Sequence, residues 1–140
     1  MTLETLSHPA LGNTVLRLGL GTMWIAHALL KLLVFTLPGT AQFFASQGLP
    51  PLLAYPVFAA ELLGGIAIVL GFHGRAVSLM LLPIMLGVLK VHAGNGWLFT
   101  SAQGGWEYPA FLALATVAHV LSGDGAFAMR RQAAGLKRIS

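Results

Sequence analysis

Four long apolar stretches alternate with short polar or glycine-rich segments along this 140-residue chain. They cover about residues 11–35, 51–71, 75–93 and 107–121. About 20 helical residues are needed to cross a bilayer core. The first three stretches are about that long, and the fourth is a little shorter. The pattern therefore predicts one domain over residues 1–140 with four membrane-spanning helices, followed by a basic cytoplasmic tail at about 126–140.

Glycine and proline mark the breaks between these stretches and predict turns. Between residues 40 and 47 the sequence TAQFFASQ predicts a short helix in the membrane interface, with Phe43 and Phe44 turned to lipid. The turn residues are Pro38-Gly39, Gly48 to Pro51, Gly71 to Gly74, Gly94-Asn-Gly96, Gly104-Gly105 and Gly123-Asp-Gly125.

The composition supports a membrane protein and excludes several soluble classes. Hydrophobic residues make up 56% of the chain and charged residues 9%, against about 25% charged residues in soluble domains. So few charges cannot cover so much apolar surface in a small soluble chain, which excludes a soluble enzyme domain, a disordered regulator and a nucleic-acid binder. The absence of cysteine excludes thiolate catalysis and cysteine-ligated metal or iron–sulfur sites. We therefore predict an all-α, integral membrane four-helix bundle in a lipid bilayer.

The distribution of lysine and arginine predicts the orientation of this bundle. The connections 36–50 and 94–106 contain neither residue, whereas the short turn contains Arg75 and the tail contains four basic residues. Basic segments stay in the cytoplasm, so both termini are predicted to be cytoplasmic. The tail is expected to contact anionic lipid headgroups, and no nucleic-acid partner is predicted. An aromatic belt on the outer side is predicted from Trp97, Phe99, Trp106 and Tyr108.

Ionisable residues inside the spans are the strongest functional signal. Each costs several kcal/mol if it faces lipid, so each should face the bundle interior, pair with an opposite charge, or extend to the headgroups. A rise of ~1.5 Å per residue places six of them in the outer half of the bundle. These six are His27, Lys31, Glu61, Lys90, His92 and Glu107, while Arg17 and His119 fall in the inner third.

Glu61 is the most informative of these residues because its mid-span position is too deep for its side chain to reach water. Gly64 and Gly65 follow it on the same helix and would let a neighbouring helix approach closely. We therefore predict a functional or obligatory pairing role for Glu61, with Lys31, His27 or Lys90 as the partner.

Simpler roles remain open for the other residues. Lys31 and Lys90 could extend to the outer headgroups and Arg17 to the inner ones. Glu107 could match the dipole of its helix. Trp24 is expected to pack in the core, and His119 to be a hydrogen-bonded core histidine. Lys90 and His92 are about 160° apart on their helix, so only one can face the bundle axis.

Haem is considered because His27 and His92 come within about one helical turn in depth. The sequence contains no spacing typical of a metal site, so haem is not favoured and no metal is predicted.

Motifs along most of the chain resemble those of a known family. Arg17-Leu-Gly19 is followed by His27-Ala-x-x-Lys31 and Glu61-x-x-Gly64-Gly65. From about residue 11 to 129 their order resembles the DoxX family of small four-helix bacterial inner-membrane proteins. One departure is Ala28, where the family commonly has glycine. The remaining motifs are Gly48-Leu49-Pro50, Leu70-Gly71 with Arg75, His92, Gly105-Trp-Glu107-Tyr108-Pro109 and Gly123-Asp-Gly125.

The resemblance implies an inner-membrane location and a link to redox chemistry. DoxX-like proteins are similar to the membrane subunit of thiosulfate:quinone oxidoreductase, and relatives are linked to quinone or catechol stress and to membrane-associated oxidoreductase complexes. Carried over to this chain, the resemblance places a site at Arg17, His27, Lys31, Glu61, His92 and Glu107.

The leading hypothesis is a quinone-linked redox role in which quinone is the cofactor. Glu61, His27 and Lys31 are the expected catalytic residues, because a quinone needs donors to its carbonyls and a proton source when it is reduced. Electrons would come from a partner protein or a soluble reductant. The expected ligand-binding residues are Arg17, Trp24, Lys90, His92, Trp106 and Glu107, with Trp24 or Trp106 stacking on the ring.

Two alternatives use the same buried charges differently. In one, the chain is a non-catalytic membrane subunit that docks a soluble oxidoreductase, and the charges only fix how the helices pack. In the other, it is a transporter for a small solute. Four short helices enclose little volume, so a transporter would need a homo-oligomer.

Overall fold

The structure, a computed structural model, describes residues 8–129 and consists there of helices and turns, with no strand. The basic residues of the predicted tail, from Arg130 onward, lie outside the described residues. The helices are α1 (Pro9–Leu29), extended by a π-helical turn (Leu30–Val34), α2 (Leu37–Ser46), α3 (Ala54–Leu70), α4 (Gly74–His92) and α5 (Glu107–Ser122). Short 3₁₀ turns precede α3 at Pro51–Leu53 and follow α4 at Ala93–Asn95.

Three helical stretches are long and apolar enough to cross a membrane: Pro9–Val34, Pro51–Leu70 and Gly74–Asn95. Less than a third of the most apolar part of each stretch is buried inside the protein. The remaining surface is apolar and faces outward, as expected for helices solvated by lipid tails. The fourth predicted span corresponds to α5, which at 16 residues is shorter than the other three.

The long helices pack in chain order. α1 packs mainly against α3, α3 against α4 and α4 against α5, while α1 and α5 share a smaller interface. We call the end with the start of α1, the α3–α4 turn and the end of α5 the terminal end, and the opposite end, with residues 35–53 and 93–106, the loop end. The apolar core between the helices contains Leu20, Trp24, Ile68, Leu81, Met85 and Leu112.

The connections follow the turn chemistry of the sequence. Gly71 ends α3 in the left-handed conformation (φ 68°), which favours glycine because it lacks a Cβ atom. The predicted short helix is present as α2, which begins three residues earlier than expected. Its first turn is capped by Thr36, whose side-chain oxygen accepts a hydrogen bond from the Gly39 N–H at 3.1 Å. Phe43 on this helix is exposed.

Candidate functional site

A buried ion pair joins α1 to α3 near the loop end. Lys31 Nζ lies 2.8 Å from Glu61 Oε2. Glu61 is 1% exposed, and the Lys31 side chain is 16% exposed. Of the three candidate partners for Glu61, the structure selects Lys31. Removing one member of such a pair leaves an unpaired buried charge and lowers the stability of the fold by about 3–5 kcal/mol. Each of the two charges is therefore tolerated in the interior only because the other is present.

Two glycines bring the helices that hold this pair into backbone contact. A Cβ atom on Gly21 of α1 would lie 2.8 Å from the Gly65 carbonyl oxygen, and one on Gly65 would lie 2.9 Å from the Gly21 carbonyl oxygen. Both distances are shorter than side chains tolerate, so only glycine allows this approach. Small residues at a crossing are the usual device for close helix packing in membranes. The crossing fixes the distance that the Lys31 side chain must span.

Lys31 itself stands on the π-helical turn at the end of α1. The Phe35 N–H donates to the Leu30 carbonyl oxygen five residues earlier, at 2.9 Å. Thr36 comes next with a positive φ of 62°. A π-helical turn contains one residue more than an α-helical turn, and such turns are frequent at functional sites. The turn therefore rotates the end of α1 just where Lys31 leaves the helix.

His27 extends the ion pair toward α5. Its ring stacks on the ring of Tyr108, with centroids 6.0 Å apart and an interplanar angle of 23°. His27 Nδ1 lies 2.8 Å from the Met23 carbonyl oxygen. A carbonyl only accepts, so Nδ1 carries the hydrogen and Nε2 of the neutral ring is left as an acceptor. His27 lies four residues before Lys31 on α1, about one helical turn away. We call Lys31, Glu61, His27 and Tyr108 the loop-end site.

An aromatic groove of about 340 Å³ adjoins this site. We define the aromatic groove by its lining residues, which are Trp97, Phe99, Glu107, Tyr108 and Phe111. Four of the five are aromatic, and Tyr108 belongs to both the groove and the loop-end site. The groove therefore borders the loop-end site at Tyr108.

The loop that lines the groove is held by hydrogen bonds to the first turn of α5. One carboxylate oxygen of Glu107 accepts from the Phe99 N–H at 2.9 Å, and the Glu107 N–H donates to the Trp97 carbonyl oxygen at 3.1 Å. The backbone N–H of Trp106 donates to the Gly96 carbonyl oxygen at 3.0 Å. Its ring packs edge-on against Trp97 with centroids 4.5 Å apart. The groove is thus a fixed part of the fold.

The other predicted site residues are placed apart from the ion pair. Lys90 is exposed, whereas His92 is half-buried and bonds through Nδ1 to the Val88 carbonyl oxygen at 2.9 Å. This agrees with their opposite directions on α4. Trp24 is 3% exposed and belongs to the apolar core. Arg17 lies at the terminal end, where it donates to the Ala126 carbonyl oxygen at 3.3 Å.

A second polar cluster, at the terminal end, involves two residues that the sequence alone does not single out, Ser78 and Asp124. His119 is fully buried, as predicted for a core histidine. Its Nδ1 lies 2.8 Å from Ser78 Oγ, and its Nε2 lies 3.1 Å from Asp124 Oδ1. Asp124 comes after α5 in the Gly-Asp-Gly sequence, which by itself predicts only a turn. An aspartate between two glycines, one turn beyond a core histidine, is the signal that could have identified it.

The terminal-end cluster has a clear structural role. The Asp124 carboxylate packs against Gly74, the first residue of α4, where a negative charge is favoured by the helix dipole. The Arg17 side chain packs against Gly71 in the same turn. Thr14 also donates to the Ala126 carbonyl oxygen at 2.9 Å. The segment after α5 therefore fastens the turn between α3 and α4 to α1.

The chemistry available at the loop-end site is proton transfer and hydrogen bonding to a polar ligand. It combines a carboxyl group, an ammonium donor, a histidine with a free acceptor nitrogen and a phenol within one apolar surrounding. Among residues 8–129, no three histidine, aspartate or glutamate side chains come together as a metal site.

Comparison with known proteins places this chain among membrane proteins of one family. "Putative oxidoreductase CatD" of Bacillus subtilis (strain 168) is 34% identical over 79 residues, which are 56% of this chain and 58% of that protein. The chain thus matches less than two thirds of the length of this relative. No solved structure matches this chain. The DoxX family model matches residues 12–94, which include Lys31, Glu61 and His27 but not α5. This match covers more than half of the chain, which therefore belongs to the DoxX family of membrane proteins.

Proposed function

We propose that this protein is a quinone-linked redox protein of the bacterial inner membrane, with the loop-end site as its reaction site. The observation that carries the proposal is the buried Lys31–Glu61 pair, 2.8 Å long, with His27 about one helical turn before Lys31 on α1. The name of the Bacillus subtilis relative, an oxidoreductase, supports the reaction class. The name of this relative specifies no substrate, so the choice of quinone as the substrate depends on the chemistry of the site and on the family resemblance.

The proposed arrangement in the membrane is a four-helix bundle with both termini in the cytoplasm, in which α5 is the fourth span. The two loop-end connections, 36–50 and 94–106, contain no lysine or arginine, whereas Arg75 and four tail residues lie at the terminal end or beyond it in sequence. This asymmetry favours a cytoplasmic terminal end. The loop-end site and the aromatic groove would then face the outer half of the bilayer.

The site residues match the needs of quinone reduction, in which the ring takes up two electrons and two protons. The Lys31 ammonium can donate a hydrogen bond to a quinone oxygen and offset the negative charge that develops there. Glu61, when protonated, can give a proton to that oxygen, and Lys31 then stabilises the carboxylate that remains. His27 can accept a proton at Nε2 from water at the loop end and pass it to the Glu61 carboxylate, and two such transfers supply both protons for each quinone reduced. The electrons come from a soluble reductant or a partner oxidoreductase.

The test is quinol formation by the protein in lipid nanodiscs, with a soluble reductant and a short-chain quinone. Glu61→Gln keeps the shape of the side chain but cannot supply a proton, so we expect a loss of about a hundredfold or more. Asp124→Asn removes a carboxylate at the opposite end and should retain the rate per folded molecule. Equal rates of quinol formation in Glu61→Gln and the unmodified protein would refute the proposal.

A further inference from the structure

The aromatic groove is an open surface groove whose lining is mostly aromatic. Its volume of about 340 Å³ lies at the lower end of the range for ligand sites, roughly 300–1,000 Å³. Trp97, Phe99, Tyr108 and Phe111 supply faces and edges on which a flat ring can stack. These features favour a ligand with one aromatic ring over an extended or aliphatic one.

One charged residue in the lining adds a specific hydrogen-bonding preference. Glu107 uses Oε1 to accept from the Phe99 N–H, and this bond holds the carboxylate at the groove. A carboxylate oxygen accepts hydrogen bonds and repels anions, so it favours a ligand that donates an O–H group. The lining therefore favours a hydroxylated ring over an aromatic acid.

The groove borders the loop-end site at one shared residue, which distinguishes it from a simple belt of interfacial aromatic residues. Tyr108 lines the groove with its ring and also stacks on His27. The contact lies between α1 and α5, which share the smallest of the four interfaces between long helices. A ligand that moves between the groove and Glu61 would have to pass between α1 and α5.

We propose that the aromatic groove is the exit site for the reduced product, and that it binds a single-ring hydroquinone whose hydroxyl donates a hydrogen bond to Glu107. After leaving the ion pair, the ring stacks among Trp97, Tyr108 and Phe111. This inference rests on the proposed function for the identity of the ligand. The groove itself is tested by binding, which requires no electron transfer.

The experiment measures equilibrium binding of radiolabelled hydroquinone to the protein in lipid nanodiscs without oxygen, with empty nanodiscs subtracted. Phe111→Ala removes an exposed ring of the groove without touching the core, and binding should weaken about three- to tenfold. Glu107→Gln keeps an acceptor but removes the charge, and binding should weaken about fivefold. Phe43→Ala removes an exposed ring on α2, outside the groove, and should leave the dissociation constant unchanged.

A second ligand tests the hydrogen bond. 1,4-Dimethoxybenzene has the same ring without a hydroxyl donor, so it should bind the unmodified protein more weakly than hydroquinone does. Its dissociation constant should be the same for the unmodified protein and for Glu107→Gln. Equal weakening by Phe43→Ala and Phe111→Ala, or equal binding of the two ligands, would overturn the inference. Groove-dependent binding without quinol formation would uphold the groove and reject only the redox role, so the two failures are distinguishable.

Discussion

The glycine crossing between α1 and α3 can be tested with two substitutions on one helix. Gly21→Ala places a Cβ atom 2.7–2.9 Å from a Val69 methyl group, the Gly65 carbonyl oxygen and the Val69 nitrogen. Gly19→Ala, two residues earlier, meets nothing within 4 Å. Both substitutions add one methyl group to α1 and change its helix propensity alike. Their difference therefore reports the crossing alone.

The expected cost follows from the atoms that are contacted. Two of the three are backbone atoms, which cannot rotate away, so α1 and α3 must separate by about half an ångström or more to restore ordinary contact distances. Overpacking of this kind costs about 1–3 kcal/mol. The gain from replacing glycine by alanine within a helix, up to about 1 kcal/mol, is common to both variants. We expect Gly21→Ala to be less stable than Gly19→Ala by about 1–3 kcal/mol.

The assay is reversible unfolding in mixed micelles titrated with a denaturing detergent, followed by tryptophan fluorescence. Trp24 reports the core because it lies three residues beyond Gly21 and is almost fully buried. The free energies of unfolding of the two variants are compared at the same detergent fraction. If Gly21→Ala is as stable as Gly19→Ala, the backbone contact does not hold these helices together and the reasoning is refuted.

Two further predictions concern the ion pair and the orientation. Lys31→Met should destabilise the protein by about 3–5 kcal/mol in the unfolding assay because it leaves Glu61 unpaired. Adding Glu61→Gln should recover most of that stability but no activity in the quinol assay. Full stability of Lys31→Met alone would show that the pair is not buried in the membrane. Because the chain contains no cysteine, a single cysteine at Ser101 should react with an impermeant thiol reagent from outside intact cells, and one at Phe72 only after the cells are opened. The reverse pattern would invert the proposed orientation.

The sequence predicts the helices and the main charge pairing because both arise from the cost of polar groups in lipid. Glu61 is too deep to reach water, so a cationic partner on a neighbouring helix is required, and only the choice among three candidates needs the structure. The interaction between Asp124 and His119 could not be predicted in this way, because an aspartate in a glycine turn is common in solvated loops. The aromatic groove could not be predicted either, because the same aromatic residues also fit the simpler pattern of an interfacial belt.

The π-helical turn at Leu30–Val34 also lies beyond sequence reasoning, since LKLLV is equally suited to a regular α-helix. The turn depends on the next segment of the chain, which must bend at Thr36 to begin α2. The exposure of Lys90 was only partly predictable. Helical geometry shows that Lys90 and His92 face opposite ways, but not which of them faces inward.

The Lys31–Glu61 pair has a consequence for how the protein is made. During synthesis α1 leaves the ribosome well before α3, and until Glu61 arrives Lys31 is an uncompensated cation near the bilayer. Insertion of a central lysine alone is unfavourable by about 2.5–3.5 kcal/mol, although a position near a helix end reduces this cost, and an unpaired glutamate is also unfavourable. Partitioning α1 and α3 into lipid as one helical hairpin avoids both penalties at once. The glycine crossing and the ion pair that would hold such a hairpin together both lie within these two segments.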